Sequence, residues 1–216
     1  AAELVAPRGE IEFDNVSFAY EGAEENAIEG VSFRCAPGET TAIIGATGSG
    51  KSTIVKLIPR LYDATGGSVK LDGRDVSEYT LRSLREAIAF VPQKNLLFSG
   101  TVASNIKLSD EKARDGDERM KNAAAVAQAT EFIVGRDGGY DGDIAQSGGN
   151  VSGGQKQRLA IARALYKTAP VLVFDDSFSA LDFKTDAKLR AALKEYAANK
   201  NVIIVAQRVG TIMNAD

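Results

Sequence analysis

A chain of 216 residues, 44% apolar and 25% charged, is long enough to bury one sizeable core and has the composition of a globular domain. Its net charge of −3 gives no electrostatic ground for nucleic acid as a main partner, and its one cysteine, Cys35, excludes an internal disulfide and fits a reducing compartment. No run is apolar enough to span a bilayer, the first residues carry no signal-peptide pattern, and the chain contains no histidine, so a role at a membrane requires a span supplied by another segment or chain.

Residues 1–9 lack a period, end in Pro7 and Gly9, and read as a linker. Residues 10–20 alternate through Ile11, Phe13, Val16, Phe18 and Tyr20, with Asp14-Asn15 as a break, and residues 28–36 form a further strand with Val31 and Phe33 on one face and Cys35 as a core filler. This predicts three short strands of an antiparallel sheet. Pro37-Gly38-Glu39 turns into Thr41-Ala42-Ile43-Ile44, a short buried strand, and Gly45-Ala46-Thr47-Gly48-Ser49-Gly50-Lys51-Ser52 then fits G-x-x-x-x-G-K-[ST]. Residues 52–58 follow with Ile54, Leu57 and Ile58 at helical spacing. Strand, glycine turn and helix are the context a phosphate-binding loop needs. Glycines permit dihedrals that line successive N–H groups on one concave wall, and the helix aims its positive end there. Lys51 is placed to reach β- and γ-phosphates, and the Ser52 hydroxyl to ligate Mg²⁺.

Residues 67–71 predict a strand and Asp72-Gly73 a hairpin turn; residues 81–87 are helical, and 88–91 are a buried strand ended by Pro92-Gln93. Residues 101–134 hold two helices, one opening at 101–106 and an alanine-rich one at 118–133, and read as an inserted helical subdomain. Residues 135–149, rich in glycine and aspartate, form a loop that is either a flexible connector or a signalling element. Val151-Ser152-Gly153-Gly154-Gln155 opens a long helix with Leu159, Ile161, Ala162 and Leu165 at core spacing and Arg158 and Arg163 off it, stopped by Pro170. Residues 171–174 are an apolar strand ending in Asp175-Asp176, residues 185–197 an amphipathic helix, and residues 202–206 a buried strand ending in Gln207. Alternating strands and helices predict an α/β fold with a mostly parallel sheet covered on both faces.

Asp175, at the carboxyl end of an apolar strand downstream of a phosphate loop, is where an acid holds Mg²⁺ directly or through water. Asp176 is placed to polarise an attacking water, and Gln93, also after a strand, to reach Mg²⁺ or that water through its amide oxygen.

Together these residues resemble the nucleotide-binding domain of ATP-binding cassette (ABC) transporters, over about residues 10–216. Val151-Ser152-Gly153-Gly154-Gln155 is similar to the family signature, with valine in its first place, and lies roughly twenty residues before Asp175. Ser179-Ala180-Leu181-Asp182 is similar to the D-loop and Gln93 to the Q-loop, and Tyr20 falls where the family stacks a ring on adenine. The resemblance implies a RecA-like P-loop NTPase core (37–92 and 156–216), an N-terminal antiparallel β subdomain (10–36) and a helical subdomain with the signature (about 93–155). It implies ATP and Mg²⁺ as cofactors. Tyr20, Gly45, Thr47, Gly48, Ser49, Gly50, Lys51, Ser52 and Thr53 would bind ATP, with Ser52, Gln93 and Asp175 at the metal and Asp176, Gln207 and Gln93 as catalytic residues.

Asn95-Leu96-Leu97-Phe98-Ser99-Gly100-Thr101-Val102 and Gly139-Tyr140-Asp141 resemble the exporter branch. Its cassettes pair head-to-tail at the cytoplasmic face of the membrane beneath transmembrane domains, each nucleotide held between one phosphate loop and the partner's signature. Ser152, Gly153, Gly154 and Gln155 would then serve a second cassette's nucleotide, with Asp182 as the D-loop residue. The sequence departs from the family at Asp176, where a catalytic glutamate is usual, at Gln207, where a histidine is usual, and in Asp143-Ile144-Ala145-Gln146-Ser147-Gly148, where exporters carry a more charged run. Both side-chain changes weaken hydrolysis and spare binding, which implies a degenerate site in a heterodimer whose partner is a different chain. The family continues past Asp216, so the C-terminal end is expected to be shortened. The competing classes are a soluble ABC-type ATPase of translation or DNA repair, a fully active homodimeric exporter cassette, and a regulatory ATP-binding module without turnover.

Overall fold

The computed structural model describes residues 2–110 and 113–207. The expectation about the C-terminal end concerns residues outside that range. In chain order the elements are β1 (Ile11–Phe18), β2 (Ile28–Cys35), β3 (Thr40–Ile44), α1 (Lys51–Leu57), β4 (Gly66–Leu71), β5 (Arg74–Asp75), α2 (Leu81–Glu86), β6 (Ile88–Val91), β7 (Gly100–Thr101), α3 (Val102–Ile106), α4 (Gly116–Val126), α5 (Thr130–Val134), β8 (Asp143–Ile144), α6 (Gly153–Tyr166), β9 (Val171–Asp175), α7 (Phe183–Tyr196) and β10 (Asn201–Ala206). No helix among the described residues is long and apolar enough to cross a membrane. The chain divides into two compact units.

The first unit comprises residues 2–90, 169–176 and 199–207. One of its sheets has the order β2-β1-β4-β5 with antiparallel pairs; the other has the order β3-β10-β9-β6, with β10 parallel to both β3 and β9. Ile11, Phe13, Cys35, Val55, Leu57, Leu71, Val173 and Ile203 share one buried cluster. The three strands expected ahead of the phosphate loop are two. Asp14-Asn15 does not break β1 but bulges it: Asn15 has φ 49°, and the pairing register shifts between Phe13 and Val16. The extra residue lets Ile11 and Phe13 on one side, and Val16 and Phe18 on the other, all face inward. Gly67 fits against this bulge, since a Cβ there would lie 2.2 Å from the Asn15 carbonyl oxygen. The sheet is completed by β4 and β5 from beyond α1, joined by a turn in which Asp72 and Gly73 have φ 51° and 81°, the type I′ hairpin that Asp-Gly favours.

Residues 2–10 are held in place rather than forming a linker. The Asp72 carboxylate accepts the N–H groups of Arg8 (2.8 Å), Gly9 (3.0 Å) and Glu10 (2.9 Å), and the buried Asn201 amide donates to the Gly9 and Cys35 carbonyls. Ala2 is paired with the backbone at Glu78 and Thr80. The expected buried strand at 41–44 is β3, only partly covered because it is an edge strand of its sheet; Ile44 is 48% exposed.

The second unit comprises residues 91–110, 113–168 and 177–198. Helices α3 and α4 pack on α6, with α4 also against α7, and Ile106, Met120, Ala124, Leu159, Ile161, Ala162 and Leu165 on these helices are all buried. The single helix expected at 118–133 is two, α4 and α5. Gln128 takes a left-handed φ of 57°, Ala129 N–H donates to the Ala124 carbonyl and Gln128 N–H to the Ala125 carbonyl. This is the two-bond helix ending usually announced by glycine, and no glycine stands here to mark the stop. Arg163, off the apolar spacing, faces protein and not water. Its guanidinium donates to the Asn105 carbonyl (2.8 Å), the Asn105 side-chain oxygen (2.9 Å) and the Leu96 carbonyl (2.9 Å), and burial lowers its pKa. Asn105, 2% exposed, bonds in turn to Phe98 and Thr101 and so shapes the loop before α3.

Candidate nucleotide site

In the first unit, β3 delivers the chain into the glycine loop and α1 leaves it. Gly48 and Gly50 have φ 82° and 85°. At Gly50 a Cβ would stand 2.7 Å from both the Ala27 carbonyl oxygen and Ile28 Cγ2, so only glycine fits; at Gly48 the space is open and the dihedral alone makes the demand. At Gly45 a Cβ would approach Ser49 Oγ to 2.6 Å. Thr47 and Ser49 are exposed on the loop. Lys51 is 8% exposed, and its ammonium lies within the curve of the loop, donating to the carbonyls of Gly45 (2.7 Å) and Ala46 (2.6 Å) and to Ser49 Oγ (3.3 Å).

Next to the loop, the Ser52 hydroxyl donates to Asp175 Oδ1 at 2.6 Å. Asp175 closes β9, is 1% exposed and is paired in register with Val205 of β10. Asp176 follows with φ 49°, a left-handed conformation uncommon outside glycine, fixed by its own N–H donating to the Val205 carbonyl at 3.1 Å. The Gln207 amide, one residue past β10, donates to Asp176 Oδ2 at 3.1 Å. Parallel pairing of β9 with β10 therefore brings together two positions separated by thirty residues of sequence. Tyr20, 39% exposed, makes edge contacts with Phe18 and Tyr62, and its hydroxyl bonds Thr53 Oγ1 at 2.8 Å.

The residues present fit a magnesium nucleotide. A loop of glycines that tolerates no Cβ at Gly50, with a sheltered ammonium inside it, suits a polyphosphate. Ser52 Oγ and the Asp175 carboxylate are adjacent hard oxygen donors, as Mg²⁺ prefers. No group of three His, Cys, Asp or Glu side chains that could cage a metal occurs among the described residues.

The second unit carries the other predicted residues. Gln93 lies two residues past the end of β6. Ser152 caps α6: its Oγ accepts Gln155 N–H at 3.2 Å, and Gln155 Oε1 accepts Ser152 N–H at 3.0 Å, a reciprocal capping box. Beside them, Gly153 has open space where a Cβ would be, while at Gly154 a Cβ would stand 3.3 Å from the Ala180 carbonyl oxygen. Asp182 caps α7 by accepting Thr185 N–H (2.9 Å) and Thr185 Oγ1–H (2.6 Å), bonds that hold its carboxyl below the usual range. Sequence reading missed Gln157, 3% exposed, whose Oε1 accepts Ala180 N–H at 3.1 Å; a polar residue on the buried side of an otherwise apolar helix stripe was the available signal.

A family model described as ABC transporter matches residues 28–179. The chain is 45% identical over 214 residues to the ATP-dependent lipid A-core flippase of Albidiferax ferrireducens, covering 99% of this chain and 37% of that protein. It is 46% identical over 211 residues to the flippase of the same name from Haemophilus ducreyi, covering 97% and 36%. A solved structure of a bacterial Atm1-family ABC exporter with ATP bound matches at a TM-score of 0.93 and 38% identity, over all of this chain and 37% of that one. The chain therefore spans little more than a third of the length of these relatives.

Proposed function

The chain belongs to the ABC transporter family, with the α/β fold of its ATPase domain, and from that premise we propose that it is the ATP-binding, energy-coupling domain of an exporter, acting at the cytoplasmic face of a membrane beneath transmembrane domains. The observation that carries the site assignment is the 2.6 Å bond between the Ser52 hydroxyl and the buried Asp175 carboxylate, beside a glycine loop that shelters the Lys51 ammonium. Tyr20 presents its ring to the base; Gly45 to Thr53 hold the phosphates; Ser52, Asp175 and Gln93 hold Mg²⁺. The ion, when bound, neutralises charge on the β- and γ-phosphate oxygens. Replacing Lys51 with alanine removes the cation from the loop. Calorimetry with Mg·ATP should then show no measurable binding, while undiminished affinity would overturn the assignment.

Ser152 to Gln155 and Asp182 face the nucleotide of a second cassette, and that cassette is a different chain. Support for the asymmetry lies in the pair at this chain's own site. Asp176 is one methylene shorter than glutamate, and a reach reduced by roughly 1 Å can cost on the order of 10²-fold in rate. Its carboxylate accepts the neutral amide of Gln207, which neither takes up nor releases a proton at neutral pH. This site binds ATP and turns it over slowly, while the partner's site, completed by Ser152 to Gln155, does the faster hydrolysis. The named relatives, flippases and an exporter, favour the exporter reading over a soluble ATPase of translation or DNA repair.

A further inference from the structure

Residues 177–182, the loop that leaves the Asp175-Asp176 pair, are anchored at several points within the second unit. The buried Ser177 hydroxyl donates to the Val91 carbonyl at 2.9 Å, two residues before Gln93. Phe178, 5% exposed, lies beneath the Arg190 guanidinium of α7, 4.4 Å from ring centre to carbon. Asp182 ends the loop as the cap of α7. Between these anchors, Ala180 meets α6 twice: its N–H donates to Gln157 Oε1 at 3.1 Å, and its carbonyl oxygen lies 3.3 Å from where a Cβ on Gly154 would stand.

Gln157 is otherwise hard to justify by packing. It is 3% exposed, on the face of α6 that also buries Ala160, Ile161 and Ala164, where leucine would fill a similar volume without desolvating an amide. Its bond to the Ala180 N–H offsets that cost.

We propose that Gln157 is a positioning residue that locks the 177–182 loop to the start of α6, so that Ser152 and Asp182 act as one rigid element toward the nucleotide of a second cassette. The functional part rests on the reading of Ser152 to Gln155 given above; the lock itself does not. Without the acceptor, Ala180 is tied to α6 by contact alone, and the coupling between Ser152 and Asp182 is loosened. Nucleotide affinity of this chain's own phosphate loop should be unaffected, because the bond removed is the one to Ala180 N–H.

Two variants test it in the chain and in the reconstituted transporter. Gln157→Leu keeps volume and removes the acceptor, and Gln157→Met serves if the leucine variant does not fold. Gln157→Glu retains an acceptor oxygen in either protonation state. Hydrogen exchange at the Ala180 amide should speed up about tenfold in the leucine or methionine variant, as expected for loss of one net hydrogen bond, and stay near the parent rate in the glutamate variant. In the transporter, kcat should fall about tenfold with KM for ATP unchanged, and the glutamate variant should recover most of it. Unchanged Ala180 exchange without the acceptor would overturn the lock. Faster exchange with unchanged kcat would overturn its functional role. A Lys51→Ala variant that still bound ATP would instead count against the nucleotide assignment, whatever Ala180 did.

Discussion

Asp176 and Gln207 are held 3.1 Å apart, and each is unusual for its place: a short carboxylate in a left-handed backbone, and an uncharged amide at the end of β10. If this pair serves a slow site, Asp176→Asn should change total ATPase activity of the reconstituted pair only slightly. General-base loss at a working site costs about 10²–10⁴-fold, so a silenced pair would make this the working site. Cys35 offers a check on the core at the same scale. Burial pushes its thiol pKa up, outweighing a hydrogen bond with Thr41 that lowers it, and the side chain is 0% exposed. Ellman's reagent should therefore react with the native chain only at the rate at which it opens, and immediate reaction would contradict the described packing.

Two glycines separate the stability of elements from the chemistry they position. Gly67, the second residue of β4, lies against the β1 bulge with φ 71°, and an added Cβ would stand 2.2 Å from the Asn15 carbonyl oxygen. Gly67→Ala should lower the denaturation midpoint by the equivalent of about 1–3 kcal/mol and leave nucleotide affinity alone in whatever fraction stays folded. Gly50 immediately precedes α1 with φ 85°, and a Cβ there would strike the Ala27 carbonyl. Gly50→Ala should weaken Mg·ATP binding as well as stability, since the loop must move to admit the methyl group. Equal affinities for the two variants by calorimetry would show that the loop's curve does not depend on Gly50. In the second unit, the Ser152–Gln155 box starts α6, and Ser152→Ala should cost about 1 kcal/mol by chemical denaturation through loss of the cap.

For the molecule as a whole, if each nucleotide is held between two cassettes as proposed, this chain should be mainly monomeric alone and turn over slowly, with specific activity rising as protein concentration rises. Fast hydrolysis independent of concentration would refute this. In the reconstituted pair, Ser152→Arg sets bulk and charge against the partner's γ-phosphate and should abolish most activity. This chain's own ATP binding should survive, because Ser52, Lys51 and Asp175 are untouched.

What the sequence determined by itself was the local chemistry whose signal is short-range: the glycine loop with strand before and helix after, the Asp-Gly hairpin, the serine cap of α6, and the apolar run ending in Asp175. Each is written within a few residues, because dihedral freedom, capping and strand hydrophobicity are properties of neighbours in the chain. Tertiary structure decided everything that depends on register. It chose the β1 bulge over a break, since inward-facing side chains on both halves required one extra residue and a glycine on β4 to receive it. It ended α4 at Gln128, where no glycine marks the stop, and it held residues 2–10 with Asp72 and Asn201, each more than sixty positions away. It brought Gln207 onto Asp176 and Ala180 onto Gln157, contacts that exist only because parallel strands and packed helices align distant stretches, and no local pattern in the chain encodes that alignment.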